Sequence, residues 1–207
     1  GLAGAAGNAE RWQEAADSAM RAAESTGDME TRFVYLLYAC RAQIEQKALF
    51  RAGEIALHAL NTCPDRPEGY LIASEVAFHC GMHDLAIKWY EAGGTKAIKR
   101  GVMVDDRLER CLRPVRYAGV AYLKAGRFAE AKAVGERALR ECSDVFSSRF
   151  LEHVNGELDK VNTAKDIGDF VVGMLQRGLP RVADTVLKAT RFLLNDACVK
   201  LDKPWIY

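Results

Sequence analysis

The chain has 207 residues, 49% of them hydrophobic, with five prolines and a net charge of +1. That balance allows a continuous core in one large domain or an elongated repeat array, and it favours helix throughout. It gives no electrostatic reason to expect nucleic acid or an anionic membrane as partner, and no apolar run reaches the roughly eighteen residues of a membrane span.

The opening GLAGAAGNAE lacks a basic flank, an apolar core and an initiator Met. It does not read as a signal peptide, and the expectation is a piece excised from a longer chain with a loose end over residues 1–8. Glu10 to Ser25 carries Trp12, Ala15, Ala16, Ala19 and Ala22 along one side. That pattern reads as the second helix of a helix pair, a half-repeat over 9–26. Gly27-Asp28 is the stop.

A first full pair is expected over 31–64, within VYLLYACRAQIEQKALFRAGEIALHAL. Leu36, Cys40, Ala52, Ala56, Ala59 and Leu60 face inward, and Pro64 closes the pair. Pro64-Asp65-Arg66-Pro67 is a tight link into a second pair over 67–93, PEGYLIASEVAFHCGMHDLAIKWYEAG. One helix runs from about Glu68 to Cys80, with Tyr70, Ala73, Ser74 and Ala77 on one face. The next runs from about Asp84 to Ala92, with Leu85, Ala86, Trp89 and Tyr90 inside. Small residues allow close helix approach while the large ones fill the surrounding space. Gly81 makes the turn.

Residues 94–112 break the period. Gly81 to Gly126 is 45 residues, and the extra stretch is rich in Gly and charge around Val102, Met103 and Val104. Insertions into helical arrays sit in loops on one face and often carry function. A third pair follows over 113–142. Aligned on the two turn glycines, Ser74 meets Gly119, Ala73 meets Ala118, Ala77 meets Tyr122 and Ala86 meets Ala131. Beyond it, Phe150 to Lys165 reads as a helix with Leu151, Val154, Leu158 and Val161 at helical spacing. Gly168-Asp169 is expected to break it. Phe170 to Gln176 is a short helix, Arg177-Gly178-Leu179-Pro180 a turn with Pro at a helix start, and Arg181 to Asn195 the last helix. Residues 149–198 read as capping helices outside the repeat pattern. Residues 199–207 form a tail ending on an apolar note, suited to the first strand of a further domain. Its Trp205 and Tyr207 make a homo-oligomer an expectation.

These pairs resemble the tetratricopeptide repeat (TPR), a helix–turn–helix unit of about 34 residues with small residues at the helix contact. The first pair departs from the pattern, since Lys47 stands at the turn glycine's place. The resemblance implies an all-α, right-handed superhelical stack of antiparallel helix pairs, an α-solenoid with a C-terminal helical cap. Pro64, Arg66, Glu68, Tyr70, Gly81, Ala86, Trp89 and Tyr90 are further similar to the TPR region attached to bacterial and phage glycosyltransferases, over about Thr31 to Leu139. That similarity implies a sugar-transferase domain elsewhere in a larger polypeptide. The transferase's acidic motif and nucleotide-sugar site are not found in this sequence.

The six cysteines, Cys40, Cys63, Cys80, Cys111, Cys142 and Cys198, are widely spaced with no CxxC pair. They read as reduced thiols of a cytoplasmic protein. No phosphate-binding glycine loop and no GxSxG turn is present, so no catalytic residue and no cofactor is assigned. His79 and His83 are four apart, but Gly81 interrupts the helix between them and no metal is assigned. Asp105-Asp106 reads as a solvated pair, and His58 and His153 stand alone.

In a TPR array the first helix of each pair lines the concave groove. The aligned residues there are Val34, Leu37, Arg41, Ile44 and Glu45, then Glu68, Leu71, Glu75, Phe78 and His79, then Arg113, Arg116, Val120, Leu123 and Lys124. The partner-binding set is Arg41, Glu45, Glu68, Leu71, Glu75, Phe78, His79, Arg113, Arg116 and Lys124. Its charge runs from acidic to basic, which suits a protein or peptide, or a neighbouring domain. The expected function is a non-catalytic interaction scaffold. The alternative is an enzyme or ligand-binding protein that uses the groove and the 93–112 insertion to hold a sugar or nucleotide-sugar.

Overall fold

A computed structural model describes residues 2–94, 112–143 and 145–201, with side chains described for 10–94, 112–143 and 145–191. The described residues are all helix and short turn. The helices are α1 (Leu2–Ser25), α2 (Met29–Glu45), α3 (Leu49–Thr62), α4 (Pro67–His79), α5 (His83–Gly94), a π-helical turn (Pro114–Gly119) running into α6 (Val120–Lys124), α7 (Phe128–Cys142), α8 (Val145–Gln176) and α9 (Pro180–Leu201). Each packs on the next, in adjacent pairs. In addition α2 packs on α4, and α4 packs on the π turn. No comparable contact joins α3 to α5 or α5 to α7 among the described residues. The first helices of successive pairs therefore approach one another more closely than the second helices do.

One turn recurs through the chain. Lys47, Gly81, Gly126 and Gly178 all have φ between 64° and 75°. Each donates its N–H three residues back, to Ile44, Phe78, Leu123 and Leu175. Each following residue donates five back, to Gln43, Ala77, Tyr122 and Met174. This is the helix-ending arrangement in which one left-handed residue satisfies two orphan carbonyls. Lys47 makes the same turn as the glycines, at the steric cost of a Cβ in the left-handed region.

The helix contact recurs with it. The Cys40 thiol donates to the Ala52 carbonyl at 3.2 Å, and 34 residues on the Ser74 hydroxyl donates to the Ala86 carbonyl at 2.8 Å. At the matching place of the third pair stand Gly119 and Ala131. A Cβ on Gly119 would lie 2.9 Å from the Phe150 ring, so α8 occupies the space that a side chain fills elsewhere. The fourth pair has Val171 and Ala183 there, both buried.

Gly178, Val171 and Ala183 thus stand at the same spacing as the turn and contact residues of the earlier pairs, in helices that the sequence pattern sets outside the repeat. The expected break at Gly168-Asp169 is also absent. α8 is one 32-residue helix, about 48 Å long. A glycine inside a helix costs only about 1 kcal/mol against Ala, and the buried face continues through it from Ala164 to Val171. α1 likewise begins at Leu2, in place of the expected loose end. In α5 the buried pair is Ala86 and Ile87, while Leu85 is exposed.

The core is continuous along α1 to α8. Phe33, Leu36, Leu37, Cys40, Ala52, Ala56, Ala59 and Ile72 form one part, and Ala86, Val115, Ala118, Ala121, Ala131 and Val154 the next. Trp89 packs against both. The α8–α9 pair has a thin core, Ala164 with Ile167 and Leu187. Phe170, Val172, Leu175, Leu179 and Val182 are exposed there.

Polar side chains fix the joints. Asp28 caps α2, accepting from the Thr31 N–H at 2.7 Å; the Thr31 side chain first, and then that N–H bond, hold its carboxyl below the usual carboxylate range. Arg32 donates to the carbonyls of Ala23 and Thr26, which α1 leaves without helical partners. Arg66, 2% exposed, reaches Glu68 at 3.2 Å and Glu30 at 3.5 Å and lies over the Phe33 ring.

The expectation of six reduced thiols is corrected. Cys40, Cys63 and Cys80 are free, but Cys142 is disulfide-bonded. Wide spacing in sequence does not report which thiols meet in space. The insertion core at 95–111, with Asp105-Asp106, and the tail at 202–207 lie outside the described residues.

Candidate functional site

The site forms where α4 meets the π turn and α6. The Glu75 side chain, on the inward face of α4, is 5% exposed and pairs with the Arg113 guanidinium just before the π turn. A carboxylate this buried requires a cation and hydrogen bonds. The Tyr117 hydroxyl supplies one of those bonds and also meets the Arg116 guanidinium. Burial first, and then the Glu75 charge, push the Tyr117 phenol up to about 12. Arg41 on α2 and Arg113 act on Cys40 from the same region as Glu75. Cys40 is nevertheless pushed well up, mainly by burial.

Above this ionic floor lies an aromatic layer. Phe78 contacts His79, His83 and Tyr117, with ring centroids 6.0, 5.4 and 5.6 Å apart, and His79 contacts Tyr117 at 5.4 Å. The Lys124 ammonium sits 5.5 Å from the Phe78 ring centre, and Arg116 lies over Phe146 at 5.6 Å. Cations over ring faces are attracted by the ring quadrupole. Both histidines are held below their usual pKa. Burial leads in each case; Lys47 adds to it at His79, and Lys124 at His83. Both present neutral imidazoles near pH 7.

The π turn is central to this geometry. A wider turn carries Arg113, Arg116 and Tyr117 against α4 in one stretch, and such turns recur at functional places in helices. The sequence signal for it is weak, since Pro114 alone marks the spot. Tyr117 is not among the residues that the sequence assigns to the groove, although it sits three before Val120 on the same helical ridge.

Of the predicted set, Glu75, Phe78, His79, Arg113, Arg116 and Lys124 come together. Arg41 is half-buried and Glu45 is exposed, both at the α2 edge of the cluster, and Glu45 acts electrostatically on His79. Glu68 lies apart, buried in its pair with Arg66, and Leu71 is half-buried. Glu75 and Glu68 are both matched by arginines. The exposed charge near the cluster is therefore less acidic than the sequence alone suggests.

A second polar cluster clasps α5 to α7. Tyr122 donates to Glu91 at 2.9 Å, and Arg127 reaches Glu91 at 3.0 Å and Glu130 at 2.8 Å. Beside the Gly81 turn is an open depression of about 550 Å³, with Met82, His83, Asp84, Leu85, Lys88 and Lys124 on its walls. His79 and His83 both lean on Phe78. No group of three or more His, Cys, Asp or Glu among the described residues could hold a metal ion. No helix among them is long and apolar enough to cross a membrane. No protein family, curated protein or solved structure matches the chain.

Proposed function

We propose that the chain is a non-catalytic TPR-like scaffold, a right-handed α-solenoid that holds a protein or peptide segment against α2, α4 and α6. The observation that carries this reading is the contact repeated at 34-residue spacing, Cys40 on Ala52 and then Ser74 on Ala86. Such an array offers an extended face lined by first helices. On that face the Phe78–Tyr117 layer, with its flanking cations, supplies aromatic and arginine groups of the kind that anchor interfaces.

The proposal includes a place for the chain as the helical arm of a larger glycosyltransferase polypeptide. Only the likeness of Pro64, Arg66, Glu68, Tyr70, Gly81, Ala86, Trp89 and Tyr90 to such arms supports that part. A cytoplasmic setting goes with it. The free thiols of Cys40, Cys63 and Cys80 favour that setting, and the Cys142 bond counts against it.

The test is affinity purification of the native product, with its intact mass and the identity of what accompanies it. A polypeptide much larger than this chain, carrying a sugar-transferase domain, is the expected result. A native product of this size that travels alone would contradict both the arm and the scaffold.

A further inference from the structure

The Gly81 edge of the stack joins three features. Met82 and Leu85 are exposed, at 48% and 38%, and line the depression beside the turn. Lys88, Lys124 and Asp84 line it as well. Lys124 also touches Phe78, and through Tyr117 the aromatic layer leads on to exposed Arg116. An open depression with apolar Met82 and Leu85 among charged groups fits one inserted apolar side chain. Two cations, Lys88 and Lys124, outnumber Asp84 there. Arg116 and Lys124 are eight residues apart on one helix, roughly 12 Å, which an extended strand spans in about four residues. Glu75, which meets this path at Tyr117, is taken by Arg113.

We infer that this edge binds an acidic peptide segment, with one apolar side chain in the depression between Met82 and Leu85 and carboxylates on Lys88, Lys124 and Arg116. The inference rests on the scaffold reading and names the chemistry of its partner. A nucleic acid is disfavoured because the whole chain carries a net charge of only +1.

The experiment pans a random-peptide display library on the full 207-residue chain and measures the selected peptides by fluorescence anisotropy. Selected peptides should carry Asp and Glu around one large apolar residue. Lys88→Glu with Lys124→Glu, both exposed, should weaken them about tenfold or more, with the melting temperature lowered by no more than about 2–4 °C from loss of the Lys124–Phe78 contact. Leu85→Asp should give a similar loss without touching the cations. Selection of basic or uncharged peptides, or acidic ones indifferent to these variants, would overturn the inference and leave the scaffold reading standing. A single-stranded DNA oligonucleotide that binds more tightly than the selected peptides would overturn it as well. Failure to select any peptide would overturn both.

Discussion

The Ser74 hydroxyl donates to the Ala86 carbonyl at 2.8 Å across the α4–α5 contact, and the bond is fully buried. It joins the two residues whose small size lets the helices approach. The acceptor already sits in a helix, so the bond adds to the pair without replacing a backbone bond. Ser74→Ala should cost about 1 kcal/mol, read as a fall of roughly 2–4 °C in melting temperature. Gly119→Ser, at the matching place, should cost more, about 1–3 kcal/mol, because Phe150 fills that space. Equal losses from both would contradict the packing described.

Lys47 holds φ at 64° where the other three turns have glycine. Lys47→Gly should therefore stabilise the chain, by about 1 kcal/mol at most. Gly81→Ala should destabilise it by a similar amount. Chemical denaturation of the two variants checks the opposite signs.

The Glu75–Arg113 pair is buried. Removing one partner strands a charge, so Glu75→Gln or Arg113→Met should cost about 3–5 kcal/mol. Arg116, exposed on the same turn, should tolerate Glu with a change near ~0.5 kcal/mol. Thermal melts of the single variants separate the floor of the site from its rim.

The Tyr117 phenol titrates at about 12 in the folded chain, against 10.0 for the free group. A raised pKa means that the folded state prefers the neutral phenol. Its contribution is complete below about pH 10 and is lost as pH rises towards about 12. Tyr122 and Tyr90 are raised as well and act in the same direction. Stability should fall over that window, and Tyr117→Phe should flatten part of the fall in denaturation curves taken at several pH values.

Among the described residues the contact of α8 with α9 buries little beyond Ala164, Val171 and Ala183, so this contact should open first. Hydrogen exchange should find its amides less protected than those of α2 to α5. Gly156 is exposed on α8, and a Cβ added there would meet nothing within 4 Å. Gly156→Ala should raise stability by up to about 1 kcal/mol.

Much of the fold is legible in the sequence because it is local. Small residues at fixed spacing and the Gly81 turn mark α4 and α5 within a residue or two. The fourth turn is readable too, since Gly178 precedes Ala183 by the same five positions that separate Gly81 from Ala86. What hides it is Gly168-Asp169, which looks like a stop. Inside a long helix with a buried face, tertiary contact outweighs one weak propensity. The site is half legible. Alignment of first helices finds Glu75, Phe78, His79, Arg113 and Arg116, but charge alone cannot tell that Glu75 and Glu68 are matched by arginines. Tyr117 depends on the π turn, which has no clear mark in sequence. The Cys142 bond depends on which thiols meet in space.

In the proposed function, the face made by α2, α4 and the Pro114–Lys124 segment receives a protein partner. Hydrogen exchange of the chain, alone and in complex with the partner purified alongside it, tests this most directly. New protection is expected on α4, on the Pro114–Lys124 segment and at the Gly81 edge, with α3 and α7 unchanged. Protection confined to α3, α5 and α7, or none on any helix, would contradict it.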